Sequence, residues 1–517
     1  MTDTAPVTGS ASGPPEQAPS VDHPAGAGLI KPGYDPRLTN EELAPLRKQN
    51  WKAYNFFAFW MSDVHSVGGY VFAGSLFALG LAAWQVLVAL LVGITIVYLL
   101  CNLVARPSQA TGVPYPVACR VPFGVLGANV PAIIRGLIAV AWYGIQTYLA
   151  SHSLVILAIS LWPNLAPYGD VNQYGFAGLS LLGYVGFFIM WVAQALVFWR
   201  GMEAIRKFID FCGPAVYVVM FLLCGYLVLQ AGWDNIDFNL AEDGTSITGL
   251  AVLPALLSAI ALVVSYFSGP MLNYGDFSRY GKTFAAVKKG NFLGLPVNFL
   301  VFSIVTVVTA AATRPVYGEL ITDPVETVGR LGNTYAIVLG ALTFMIATVG
   351  INIVANFVSP AFDFSNVWPQ KISWRMGGMI AAVGSVLLTP WNLFNSPTTI
   401  HYTLDILGAF IGPLYGVLIA DYYLIKKRKV YIDDLYSMKS DGAYYYKNGY
   451  NPVAIVATLV GAVVALILVF FSFGDSANYS WFAGAAVGFA IHYLVSRNQP
   501  ERKPAATVGG AEGVEVI

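Results

Sequence analysis

Apolar runs of about twenty residues or more recur from residue 55 to residue 496, and no other feature limits the fold as strongly. A helix rises about 1.5 Å per residue, so some twenty apolar residues cross the ~30 Å hydrocarbon core of a bilayer. In that medium every backbone N–H and C=O must be bonded within the protein, which leaves helices or a closed barrel. Runs this long fit helices. They lie near 55–82, 84–104, 129–161, 174–199, 208–231, 248–275, 290–312, 333–358, 374–390, 399–425, 452–473 and 478–496, about twelve transmembrane helices. Of 517 residues, 56% are hydrophobic and 11% charged, the balance of an all-α polytopic membrane protein.

The 28 Lys and Arg cancel the 28 Asp and Glu. No concentrated basic face is expected, and hence no nucleic-acid partner. Placement of charge says more. "RKQN" precedes the first run, Arg106 and Arg120 follow the second, Arg200 and Lys207 the fourth, Lys282 and Lys288 the sixth, and "KKRK" the tenth. "WPNLAPYGDVNQYG" and "WDNIDFNLAEDGTS", on the other side, carry acids and no Lys or Arg. The positive-inside rule then puts both termini of a multi-pass protein in the cytoplasm, in the cytoplasmic (inner) membrane. Residues 1–45 and 498–517 lack apolar runs and read as disordered cytoplasmic tails, with no cleavable signal and no lipidation motif. Cys101, Cys119, Cys212 and Cys224 show no CxxC spacing and read as buried thiols.

Two runs are interrupted. The first contains "SDVHSVGGYVFAG", with Asp63, His65 and two serines where hydrocarbon is expected, and its break falls near Gly68 and Gly69. An ionisable group inside a membrane span points to function. The sixth reads "SYFSGPMLNYGDFSRYG", with Gly269 and Pro270 mid-run, residues that loosen a helix by freeing dihedrals and deleting a donor. Interruptions in the first and sixth helices indicate two inverted five-helix repeats around a midplane site, where unwound carbonyls and half-helix ends bind ions and polar substrates. The repeats would cover 46–231 and 232–430, followed by helices 11 and 12 in 431–497.

"GVPYPVACRVPFGVLGANVPAIIRG", "WYGIQTY", "LNYGDFSRYGK" and "NIVANFVSPAFDFSN" together resemble the nucleobase:cation symporter-1 family over roughly residues 50–490. The resemblance implies the LeuT-type inverted-repeat fold and import of uracil, cytosine, allantoin, hydantoins, purines or some vitamins, coupled to sodium or protons. It also implies roles. Trp142 matches the aromatic on which a planar substrate stacks, and Gln146, one turn on, matches an amide that bonds it, a spacing that shares a helix face. Asn356 matches a second amide and Ser66 a polar side chain facing the substrate, while Phe267 beside Tyr266 stands where many relatives carry a second tryptophan.

For the ion, the family uses carbonyls of the first helix, here near Ser62 and His65, with a carbonyl and two hydroxyls of the eighth. Those eighth-helix positions are Ala347, Gly350 and Ile351, and the last two supply no hydroxyl. A hard cation needs a full oxygen shell. Proton symport is therefore expected over sodium, with Asp63 the first candidate carrier and His65 the second, set against a capping role for Asp63 in the unwound segment. No cofactor or bound metal is expected.

Enzymatic activity lacks sequence support, since neither HExxH nor GxSxG occurs. The rival reading is a LeuT-fold amino-acid, amine or vitamin symporter, in which Asp63 serves as an amine counter-ion. Asp276 and Arg279 read as a gate or structural ion pair, Asp363 as a helix-end charge reaching interfacial water, and His401 as a hydrogen-bonded packing residue. The expected partners are a small heterocycle and the lipid bilayer; the oligomeric state is open, and a monomer suffices.

Overall fold

Nine helices among the described residues are long and apolar enough to cross a membrane, and three shorter or broken ones complete twelve spans. The computed structural model describes residues 28–240, 246–471, 474–500, 502 and 514–515. The first span is split into α1 (Ala53–Val64) and α2 (Val67–Ser75). It is followed by α3 (Ala83–Thr111), α4 (Asn129–Leu161), α5 (Leu181–Trp199) and α6 (Met202–Ala231). The second half opens with α7 (Val252–Leu272) and the short α8 (Gly275–Ser278). Then α9 (Phe284–Phe292) continues through a π turn into α10 (Asn298–Tyr317), and α11 (Thr334–Ile353) through another into α12 (Ser359–Val367). The remaining spans are α13 (Trp374–Leu387), α14 (Pro397–Ile419), α15 (Pro452–Phe470) and α16 (Ser480–Ser496). The first span is split within its length, and the sixth is a full-length helix that breaks at Asn273 before the short α8; with two five-helix halves and two C-terminal helices, this is the LeuT-type fold.

Both breaks differ from the sequence expectation. In the first span the helix stops at His65–Ser66, ahead of Gly68 and Gly69, which lie in the first turn of α2. Ser66 is extended (φ −72°, ψ 155°) and its Oγ accepts the Gly69 N–H at 3.1 Å, an N-cap that starts the second half-helix. In the sixth span α7 runs straight through Gly269 and Pro270 and ends at Leu272, with Asn273 at the break. Proline deletes one hydrogen bond but keeps a helical φ, so the helix continues for two more residues before it stops.

Polar ties inside the bundle hold the halves in register. The Trp60 indole N–H (2.8 Å) and the Tyr274 hydroxyl (2.5 Å) both donate to Asn291 Oδ1, and Asn291 Nδ2 donates to Asn102 Oδ1 at 2.9 Å. One amide thus joins α1, the α7–α8 break, α9 and α3. Cys101, Cys119 and Cys212 are buried and Cys224 is half-buried.

The N-terminal segment is a second correction. Residues 1–27 lie outside the described residues, but 28–45 pack onto the bundle with Leu38, Leu43 and Ala44 buried. Their carbonyls are met by buried guanidinium groups: Arg120 donates to Leu38 O (2.7 Å), and Arg279 to Glu42 O and Ala44 O (2.9 Å each). A segment poor in apolar residues folds here because the bundle supplies its hydrogen-bond partners. At the other end, Val514–Glu515 pairs antiparallel with Lys429–Val430, and most of 498–517 lies outside the described residues.

Candidate functional site

The break in α1 sends its two ionisable side chains in different directions. His65 Nδ1 bonds the Tyr70 hydroxyl at 2.7 Å, and its ring packs on Tyr217 (4.0 Å) and Phe302 (5.4 Å), against α6 and α10. Asp63, two residues earlier, lies near Cys101 of α3 and Tyr266 of α7, and its Oδ2 accepts no hydrogen bond. The two form no ion pair among the described residues. Asp63 is thus the member on the side of the aromatic site, and His65 is held in an aromatic nest.

Beyond the break, the Val67 N–H donates to Thr348 Oγ1 of α11 at 3.1 Å, so a neighbouring helix satisfies an amide that the broken helix leaves free. Gly68 faces the candidate substrate residues. A Cβ added there would lie 2.8 Å from Gln146 Nε2 and 3.2 Å from the Tyr266 hydroxyl. At Gly69 a Cβ would meet Val64 O at 2.5 Å across the break. Both glycines serve close approach; neither is the break.

Trp142 and Gln146 stand one turn apart on α4, both buried, and Gln146 Oε1 has no partner. The ring opposite Trp142 belongs to Tyr266, at 5.3 Å and 83°, edge on, and is backed by Phe72, stacked on it at 4.4 Å. Phe267 points elsewhere, against Phe299 at 5.5 Å. Successive helical residues are about 100° apart, so only one of the pair can face α4. The expected second wall therefore falls to Tyr266, which brings a hydroxyl as well as a ring. Asn356, in the π turn after α11, donates to Asn352 Oδ1 (3.1 Å); Asn352 Nδ2 is shared among Tyr143 O (3.0 Å), Thr147 Oγ1 (3.1 Å) and Gln194 Oε1 (2.6 Å). Asn352, Thr147, Gln194 and Thr348 were missed from sequence; the "NIVAN" spacing of two asparagines at i, i+4 was the available signal.

The eighth-span ion positions are all buried, and Ser62 lies on α1. A Cβ added at Gly350 would lie 3.5 Å from Cys212 Sγ and 3.6 Å from the Phe208 ring, both of α6, so a thiol and a ring stand there in place of oxygen. Ile351 is aliphatic, and the nearby hydroxyl of Thr348 accepts the Val67 N–H. These residues do not form a hard-cation shell from side-chain oxygen. Among the described residues no group of three or more His, Cys, Asp or Glu is placed to hold a metal ion.

Other polar groups depart from expectation. Asp276 accepts from the Tyr115 N–H (2.8 Å) and Asn273 Nδ2 (3.3 Å), and Arg279 bonds N-terminal carbonyls, so the two are not an ion pair. Asp363 is fully buried and does not reach interfacial water, because α12 packs inside the bundle. His401 does not depart: it is hydrogen-bonded as expected, to Ser75 Oγ at 3.0 Å. His492 bonds Asp421 at 3.0 Å between α16 and the π turn after α14. A cavity of about 620 Å³ lies beside the site, lined by Ser75, Phe77, His152, Asp323, Phe394 and Ser396. Phe394 also touches Trp142 at 5.9 Å and so stands between cavity and site.

A twelve-span bundle with two broken helices around a buried aromatic and amide cluster defines a transporter of the LeuT class. Residues 44–496 match the model of permeases for cytosine/purines, uracil, thiamine and allantoin, and the chain belongs to that family. It is similar to the allantoin permease of Bacillus subtilis (strain 168), 34% identical over 90% of this chain and 94% of that one. It is also similar to the purine-uracil permease NCS1 of Arabidopsis thaliana, 31% identical over 83% of this chain and 71% of the relative. Among solved structures, Mhp1, a nucleobase-cation-symport-1 family transporter in a closed conformation with bromovinylhydantoin bound, superposes with a TM-score of 0.71. It is 24% identical and covers 89% of this chain and 95% of its own, a likeness that shows the fold. The family is one of permeases, not enzymes.

Proposed function

We propose that this protein imports a planar, hydrogen-bonding heterocycle of the nucleobase or ureide kind by proton symport across the cytoplasmic membrane, both termini facing the cytoplasm. The observation that carries the reading is the convergence of Trp142, Gln146, Tyr266 and Gly68 at the break of the first span. An indole face offers stacking to any flat ring, and the unpaired Gln146 Oε1 accepts from a ring N–H. The 34% identity to an allantoin permease makes allantoin the first substrate to test, ahead of uracil, hydantoin and purines. Ion coupling is assigned to the proton because Gly350 and Ile351 bring no hydroxyl, and to Asp63 because it is the buried acid on the site's side. The halves 46–231 and 232–430 would rock against each other around the site, with 431–497 as a flank. Coupling then requires that ion and substrate favour the same state.

Uptake of radiolabelled allantoin and uracil by transporter-deficient cells tests this, in sodium-free and sodium-containing buffer, with and without protonophore. Sodium-independent accumulation abolished by protonophore is expected. Block by amines or amino acids and not by heterocycles would overturn the substrate class; a sodium requirement would overturn the ion.

A further inference from the structure

Arg135 precedes Trp142 by seven residues on α4, two turns away and on the same face. It is fully buried. Its Nη2 donates to Asn273 Oδ1 in the break of the sixth span (3.2 Å) and, at 3.4 Å, to Ala355 O beside Asn356, while Nε and Nη1 have no partner. Asp363 lies on α12, which packs on α4; it is also fully buried, neither of its carboxyl oxygens accepts a hydrogen bond, and it is close enough for its charge to act on the guanidinium. The two are neighbours yet form no ion pair among the described residues. The other titratable groups facing Asp363 are Tyr115 and Cys119 from the segment between α3 and α4, and Asp276 of α8. Asp276 is already satisfied by Tyr115 N–H and Asn273.

An ionised carboxylate with no donor on either oxygen does not persist in a buried site, and a guanidinium with two idle nitrogens is equally incomplete. The orphaned atoms of the pair complement one another, and Arg135 is held back by the two helices that carry Asn273 and Asn356. We propose that Asp363 is a proton-exchange site, protonated while Arg135 is bonded to Asn273 and Ala355, and ionised when those segments move and Arg135 closes on it. In that step the Asp363 O–H bond breaks, its electron pair stays on the carboxylate beside the guanidinium, and the proton passes to cytoplasmic water. The assignment rests on the proton-symport reading above and adds a second station, beyond Asp63, where substrate release and proton release meet.

The test uses full-length wild type, Asp363→Asn and Asp363→Glu in proteoliposomes loaded with a pH-sensitive dye, with labelled allantoin and uracil. Substrate-driven proton influx and equilibrium counterflow are read in parallel. The expected result is coupled influx in wild type, and its loss in Asp363→Asn with counterflow retained. A wild type that moves substrate without protons overturns the proton-symport reading, and this assignment with it. Proton influx per substrate equal in wild type and Asp363→Asn overturns Asp363 alone. If Asp363→Asn also loses counterflow, Asp363→Glu decides: coupled uptake with a displaced pH profile supports the assignment, and coupled uptake that is absent or undisplaced overturns it.

Discussion

Gly68 sets how near the broken helix comes to the amide and hydroxyl that face the candidate substrate. A methyl group there would sit 2.8 Å from Gln146 Nε2, closer than a Cβ contact tolerates, so Gln146 or the half-helix must shift. Gly68→Ala is therefore expected to weaken heterocycle binding about ten-fold, about 1.4 kcal/mol, while the protein still folds. Scintillation binding of labelled allantoin or uracil to purified protein checks it, and an unchanged Kd would place the substrate elsewhere. At this scale the spacing of Trp142 and Gln146 was readable, because i and i+4 share a face in any helix. The choice between Tyr266 and Phe267 was not. A helix that is apolar all round carries no stripe to fix its rotation, and only packing against Phe72 and Phe299 shows which ring turns toward α4.

Helix breaks are set by hydrogen-bond partners as much as by glycine or proline. Ser66 caps α2 through the Gly69 N–H, and Thr348 takes the Val67 N–H, so the break falls where two hydroxyls wait for the freed amides. Ser66→Ala is expected to cost about 1 kcal/mol, the usual loss of an N-cap, and Ser66→Asn, which restores an acceptor, less. Thermal unfolding in detergent measures both; equal stability of wild type and Ser66→Ala would remove the cap from the account. Most spans were legible because length and hydropathy specify them: nine helices among the described residues meet both conditions. The packing of residues 28–45 was not, since its partners, Arg120 and Arg279, lie far away in sequence. That segment makes its own expectation. Burial holds the Glu42 carboxyl above the usual glutamate range. An acid so shifted contributes stability below its unfolded value and loses it as pH rises through its folded value. Glu42→Gln should therefore flatten the fall in melting temperature between mildly acidic and neutral pH, and an unchanged slope would show that the carboxyl is solvated.

For the molecule as a whole, alternating access demands that the cavity beside the site open to one side of the membrane only. Ser396 caps the start of α14 and lines that cavity with Phe394, which touches Trp142, so a probe at 396 reports on the approach to the site. With both termini in the cytoplasm, as proposed above, this cavity would face outside. The chain's own thiols are poor targets, three of the four being buried. Ser396→Cys in intact cells is thus expected to react with a membrane-impermeant maleimide, against a low wild-type background. Substrate favours the occluded state if it bonds residues of α2, α4 and α7 together, so saturating heterocycle should slow the labelling in proportion to occupancy. Labelling only after permeabilisation would invert the topology. Labelling that substrate leaves unchanged would mean that closure over Trp142 does not involve the start of α14, and that Phe394 is not the lid between cavity and site.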